Sequence, residues 1–124
     1  MKYQCMGFFN KEKMDALPKE EIDAIMMECQ PHLDELFKSG QVLMDLGVAQ
    51  EMKSLQRIDG KVQVISSPIT EPTKVLGSVF VIEAQDMDEA IRVASQHPTV
   101  QVSSGEQLGW ELEIRPVHTF EMKS

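Results

Sequence analysis

The N-terminal third of the chain changes from the hydrophobic pattern of a strand to that of a helix. Residues 2–9 are rich in apolar and aromatic side chains and predict a first β-strand, and the polar residues 10–17 predict a connection. Pro18 predicts the start of a helix and Gly40 its end, because proline suits the first helical position and glycine the residue after the last. One face of this helix is apolar, with side chains three or four positions apart: Ile22, Ile25, Met26, Cys29, Leu33 and Leu36. Pro31 lacks a backbone N–H, so we expect a kink or a brief break there.

The middle of the chain alternates apolar runs with turn signals. Residues 41–48 predict a second strand. Residues 55–65 predict a hairpin, because Asp59-Gly60 is a strong tight-turn pair between two apolar runs. A loop with two prolines follows. Residues 76–82 are almost all apolar, which is typical of a central strand covered on both faces.

The C-terminal third predicts a helix and a closing strand. Asp86 and Glu89 have the spacing of a capping box, so a helix is expected to begin there, and Pro98 is expected to end it. Residues 99–109 are polar and predict a mobile segment. Residues 110–115 alternate between apolar and polar positions, which indicates a strand with one face in water.

This order of elements predicts an α+β fold in one domain, residues 1–124. It fits a ferredoxin-like sheet with two helices on one face and an extra hairpin. The other face of the sheet also carries apolar side chains, and a second copy of the chain is the simplest cover for it. We therefore expect a homodimer.

Composition and charge narrow the classes of function. The formal net charge is −8, which disfavours a nucleic-acid groove or an anionic membrane surface as partner. No apolar run reaches the roughly 18–20 residues of a membrane span, and the N-terminus lacks a signal-peptide pattern, so we expect a cytoplasmic protein. Cys5 and Cys29 lack metal-ligand spacing and are expected to be free thiols.

Seven short motifs, in order, resemble the YCII-related family, specifically its DGPF-domain branch, over nearly the whole length. They are Lys2-Tyr3, Ser39-Gly40, Ser66-Ser67-Pro68-Ile69, Leu76-Gly77-Ser78, Asp86-Met87-Asp88-Glu89-Ala90, His97-Pro98 and Glu113-Ile114-Arg115-Pro116-Val117. The resemblance implies a dimeric α+β barrel with a cleft between the sheets. It also implies small-molecule binding or modest catalysis, and an occasional association with sigma factors.

The chain departs from that family at two places that bear on chemistry. The Asp, Gly and Phe of the signature loop are replaced by Ser66, Ser67 and Ile69. Some relatives have a histidine in the first helix that has been suggested to act with an aspartate. The equivalent position here is about Cys29, not His32, so the resemblance does not carry that pair over.

Candidate catalytic groups are His32 and Glu71. His32 lies at the edge of the apolar stripe and is either a proton shuttle, since its unperturbed pKa is near neutrality, or a half-buried boundary residue. Cys29 lies on the core face beside Glu28, which favours a small buried hydrophobe over a reactive thiolate.

The loop after the hairpin offers the residues of a polar ligand site at a cleft mouth. The hypothesised ligand-binding set is Ser66, Ser67, Thr70, Glu71, Lys74 and Arg115. The alternative interpretation is a loop that its prolines stiffen. Arg115 shares a strand face with Glu113, so it either holds a carboxylate or forms a structural ion pair.

Neither a metal nor a cofactor is expected. The three histidines lack metal-ligand spacing, and His97 is interpreted as closing a helix, where its charge suits the helix dipole. The loop lacks the glycine-rich cradle that binds nucleotide phosphates. Three hypotheses for function follow: a protein that binds a small polar molecule in the cleft, a weak acid–base enzyme using His32 or Glu71, and a protein-interaction module accessory to transcription.

Overall fold

The computed structural model of the protein describes residues 1–69 and 71–123. Its strands are β1 (Lys2–Asn10), β2 (Val42–Gly47), β3 (Ser54–Ile58), β4 (Lys61–Ile65), β5 (Lys74–Glu83) and β6 (Glu111–Pro116). Its helices are α1 (Lys11–Asp15), α2 (Lys19–Lys38), α3 (Met87–Ala94), α4 (Pro98–Gln101) and α5 (Gly105–Leu108). The protein is therefore a mixed α+β fold, as the sequence predicts. Among the described residues, no helix is both long enough and apolar enough to span a membrane.

Four strands form one antiparallel sheet in the order β2-β5-β1-β6. Leaving out the hairpin, this is the strand order of the expected ferredoxin-like sheet. The remaining two strands, β3 and β4, form a separate two-stranded sheet. Among the described residues the four-stranded sheet stays open at β2 and β6, so a single chain does not close into a barrel.

One face of the sheet packs against the two longest helices. Tyr3 lies opposite Ile82 and Cys5 opposite Phe80, and all four side chains are buried. Leu36 of α2 completes this core together with Ala90, Val93 and Ala94 of α3. Ile25 and Leu36 of the predicted apolar stripe of α2 are buried. The predicted capping box of α3 is present, since the Glu89 N–H donates to Asp86 Oδ1 over 2.9 Å.

Two local predictions are wrong, and at Pro31 the helix α2 shows no break. Residues 11–15 form the helix α1, because the Asn10 side chain caps it by accepting from the Lys13 N–H at 3.0 Å. Pro98 does not end α3, which stops at Ala94, but opens α4 as its first residue.

Residues 99–109 form part of a second small core rather than a mobile segment. Val102 and Leu108 are buried against Ile25 of α2, with Trp110 packed alongside. The short helices α4 and α5 bring these apolar side chains together. Each helix has only four residues, so the sequence shows no repeat of apolar positions from which a helix could be predicted.

The second face of the sheet, which we call the open face, is only partly covered. Its residues lie directly opposite one another on neighbouring strands. The pairs are Met6 with Val79, Val81 with Met44, Leu46 with Val79, Glu113 with Met6, and Arg115 with Gln4. Val81 is buried and Met6 half-buried, whereas Met44 and Leu46 at the β2 edge are exposed. The predicted cover on both faces of β5 is thus incomplete within one chain.

Candidate functional site

A cavity of about 550 Å³ lies beside the middle of α2, where β2, β5 and the segment after α3 meet. We call it the His97 cavity. Most of its wall is apolar and includes Phe9, Met14, Met26, Leu33, Leu46, Val48, Pro98 and Trp110. Its polar groups are few and include Asp45, Ser78, His97 and Thr99. A largely apolar cavity of this size with a few polar groups is typical of a small-molecule site.

His97 occupies a defined position in the wall of the cavity. It precedes α4, and its Nδ1 accepts a hydrogen bond from the Thr99 N–H at 3.1 Å. Its ring stacks on Phe80 with the centroids 4.3 Å apart and the planes 2° from parallel. The side chain is 6% exposed. Helix geometry and ring stacking together therefore fix the orientation of the imidazole.

These contacts determine the protonation of the ring. Because Nδ1 accepts a hydrogen bond, the neutral ring carries its proton on Nε2. Burial lowers the pKa of His97 to about 4, since a charged imidazolium loses its hydration there. His97 is consequently neutral at neutral pH and presents an Nε2–H donor. The interpretation of His97 as a charged group at a helix C-terminus is wrong.

Asp45 faces the same nitrogen. It lies directly opposite Phe80 in the sheet, on the face toward the helices, and its Oδ1 is 3.9 Å from His97 Nε2. Its side chain is 22% exposed, and burial raises the pKa of its carboxyl. The separation exceeds a hydrogen bond. A hydroxyl group between the two side chains could accept from Nε2–H and donate to the carboxylate.

Gly7 keeps space for two hydroxyl groups near this pair. A Cβ on Gly7 would collide with the Ser78 Oγ and lie 3.2 Å from the Thr99 Oγ1. The absence of a side chain at Gly7 therefore allows both hydroxyls to approach the β1 backbone, where the β1–β5 register shifts. Ser78 and Thr99 both line the His97 cavity.

Cys29 also lines this cavity but is not activated. Its Sγ donates to the Ile25 carbonyl over 3.4 Å, and burial together with the charge of Glu28 raises the pKa of the thiol. A thiol with a raised pKa is a weak nucleophile at neutral pH. The structure places Cys29 with the apolar wall, in agreement with its interpretation as a small hydrophobe.

A second cavity, of about 700 Å³, lies over the open face beside the loop that follows the hairpin. We call it the loop cavity. The loop lines it through Pro68, Ile69 and Pro72, and Lys74 and Arg115 also line it. Residues 48–50 border both cavities.

The polar side chains predicted from this loop have mostly local roles. Ser66 Oγ accepts from Lys53 Nζ at 3.0 Å, and the Ser67 carbonyl accepts from Ser54 Oγ at 2.8 Å. Both serines and Glu71 are exposed, and their side chains are not part of the loop-cavity wall. Thr70 lies outside the described residues. The assignment of this set to a ligand stays a prediction.

The charged residues of the open face pair with each other. Lys74 Nζ is 3.4 Å from Glu111 Oε2 and 5.1 Å from the centroid of the Phe8 ring. Arg115 Nε is 2.7 Å from Glu113 Oε1, so the structure contains the ion pair that was one of the two alternatives for Arg115. This pairing lowers the pKa of Glu113, chiefly through the hydrogen bond from Arg115.

The remaining catalytic candidate, His32, is half-buried on α2 and lines neither cavity. Among residues 1–69 and 71–123, no cluster of three or more acidic, histidine or cysteine side chains could hold a metal ion.

Sequence reasoning missed His97 and Asp45. One signal was present, since Asp45 is the only charged residue within the otherwise apolar run of residues 42–48. Its partner is 52 positions away along the chain, so only the sheet register shows that the two side chains meet.

Comparison with known proteins supports the resemblance seen in the motifs. The family model of the YCII-related domain matches residues 1–115. A search of curated proteins found no match. Membership of the DGPF-domain branch stays a prediction from the motifs. Because the match covers more than nine-tenths of the chain, this protein belongs to the YCII-related domain family.

Proposed function

We propose that this protein binds a small, mainly apolar organic molecule in the His97 cavity and holds its hydroxyl group between His97 and Asp45. The observation that carries the proposal is the orientation of His97, whose Nδ1 is occupied by the Thr99 N–H while Nε2 faces Asp45 at 3.9 Å. A buried donor beside a partly exposed acceptor favours a ligand group that hydrogen-bonds to both.

The surroundings of this pair favour binding over proton transfer. A general acid or base works best with a pKa near the working pH, whereas the pKa of His97 is about 4. His97 therefore acts as a hydrogen-bond donor. For the acid–base alternative, neither His32 nor Glu71 lines the His97 cavity or the loop cavity.

Trp110 provides a direct measurement. It is the single tryptophan of the chain and lines the His97 cavity, so a ligand there should change its fluorescence. We would screen a panel of small phenols, aliphatic alcohols and carboxylic acids by Trp110 emission. We expect hydroxyl compounds to bind and the variants His97→Gln and Asp45→Asn to weaken binding by about 1–3 kcal/mol, since each alters one of the two hydrogen-bond partners of the ligand hydroxyl.

The matched control is His32→Gln, which changes a half-buried histidine outside both cavities and should leave affinity unaltered. Binding that is equally strong in His97→Gln and in Asp45→Asn, or a panel from which no compound binds at millimolar concentration, would contradict the proposal. Nitrogen chemical shifts of His97 give an independent check, because the proton should reside on Nε2.

We also propose that a second copy covers the open face and that the two sheets then form the dimeric α+β barrel. The support is the partial exposure of apolar side chains on that face, notably Met44 and Leu46. In such a dimer the loop cavity becomes part of the cleft between the sheets, and the polar ligand predicted for that cleft is a second candidate occupant. The interaction module accessory to transcription lacks a comparable supporting observation.

A further inference from the structure

We infer that the β3–β4 hairpin is an interchain arm whose apolar side lies on the open face of a second copy of this chain. The inference rests on the proposed homodimer and adds a contact that face-to-face pairing of the sheets does not require. The main observation behind it is that the hairpin is exposed, apolar on one side and basic, whereas the protein as a whole is acidic.

The apolar side of the hairpin lacks cover within its own chain. Leu55 lies opposite Val64, and the opposed residues Val62 and Arg57 share that side, so three of its four side chains are apolar. The exposed fractions of Leu55, Val62 and Val64 are 62%, 65% and 66%. Beyond the β3–β4 pairing, no described helix or strand packs broadly against either strand. Because an isolated two-stranded hairpin is at best marginally stable in water, a partner surface is needed.

Exposed apolar side chains are concentrated around this hairpin. Residues 43–69 contain ten of the eighteen large hydrophobic side chains that are exposed in the described part of the chain. This segment runs along the chain from the β2 edge of the open face to the hairpin. A standard interface uses about 20–30 residues from each partner, which matches the length of the segment.

The base of the hairpin is held in place while its apolar side is not. Ser54 is buried and donates from Oγ to the Ser67 carbonyl at 2.8 Å, and Lys53 Nζ donates to Ser66 Oγ at 3.0 Å. These two contacts tie the start of β3 to the chain after β4. An arm anchored at its base loses less conformational entropy when it docks.

Charge identifies the second copy as the occupant. Arg57 and Lys61 with Asp59 give the hairpin, residues 54–65, a formal charge of +1, so the rest of the chain, whose total is −8, carries −9. Among the described residues, neither Arg57 nor Lys61 has an acidic partner within ion-pair distance. A basic arm is therefore attracted to the acidic body of another copy.

Photo-crosslinking tests the arm directly. Val64 is replaced by p-benzoylphenylalanine in ¹⁵N-labelled protein, which is mixed with unlabelled chain, irradiated and digested. We expect crosslinked peptides that join a labelled to an unlabelled chain, with the acceptor in the β2 or β5 part of the open face. The matched control places the same group at Val100 in α4, an exposed valine away from the hairpin, and should give no such peptide.

The outcomes distinguish failure of the arm contact from failure of dimerisation itself. Only intrachain crosslinks, or interchain crosslinks to the helices, would overturn the arm even where sedimentation shows a dimer. A monomer at micromolar concentration would overturn both proposals. In a second measurement, Val62→Asp with Val64→Asp should raise the dimer Kd at least tenfold without altering the circular dichroism of the monomer, because both side chains are exposed.

Discussion

At the scale of single residues, the burial of His97 makes the stability of the protein depend on pH. The pKa of this histidine falls from about 6.5 in the unfolded chain to about 4 in the folded one, so the unfolded state binds the extra proton between these values. The contribution that neutral His97 makes to the free energy of unfolding is fully present above about pH 6.5. It is lost as the pH falls toward 4. The loss amounts to about 3 kcal/mol of unfolding free energy.

Urea unfolding of the wild type and of His97→Gln across this pH range measures the effect. We expect the difference between the two free energies of unfolding to shrink toward acid pH, whereas His118→Gln, an exposed histidine, should differ little from the wild type at any pH. The effect of Asp45 on the free energy of unfolding has the opposite sign. Because burial raises the pKa of its carboxyl, the contribution of Asp45 increases toward acid pH. Parallel curves for wild type and His97→Gln would mean that folding does not lower the pKa of His97.

At the scale of elements, the β3–β4 turn determines whether the hairpin forms. Asp59 and Gly60 have φ values of 51° and 77°, as a two-residue hairpin turn requires. Gly60→Ala places a Cβ in the left-handed region and should destabilise the hairpin by about 1 kcal/mol.

Amide hydrogen exchange measures this change where it occurs. The amides of β3 and β4 should exchange about fivefold faster in Gly60→Ala, as a change of about 1 kcal/mol implies, while those of β1 and β5 keep their rates. Gly47→Ala is the matched control, because its added Cβ has no neighbour closer than 3.9 Å and its φ is not left-handed. Equal acceleration across the whole sheet would show that the hairpin unfolds only with the rest of the protein.

At the scale of the whole molecule, the open face predicts the oligomeric state. Analytical ultracentrifugation at micromolar concentration should give twice the 14.0 kDa mass of the chain. Met44→Asp, on the open face, should shift the protein toward monomer because it adds a charge to an apolar contact. Met27→Asp, at an exposed position on α2, should not. A wild-type monomer would leave the open face without its proposed cover.

The sequence alone predicted the main strands, the two longest helices and the turn between β3 and β4. These features depend on local patterns: the three-to-four spacing from Ile22 to Leu36, the capping box of Asp86 and Glu89, and the Asp-Gly pair of the turn. Each involves residues close in the chain, so its energetics can be read from neighbouring positions. Ordered motifs likewise indicated the YCII-related family.

Only the tertiary structure decided where the polar groups of the candidate site meet. The turn into α4 stacks the His97 ring on Phe80. The β2–β5 register places Asp45 opposite Phe80, so Asp45 and His97 lie close together although they belong to different parts of the chain. The loop after the hairpin, by contrast, turns apolar side chains toward its cavity and leaves Glu71 exposed. Strand register and burial are long-range properties that sequence spacing does not encode, and here they bring His97 and the Asp45 carboxylate within 3.9 Å of each other.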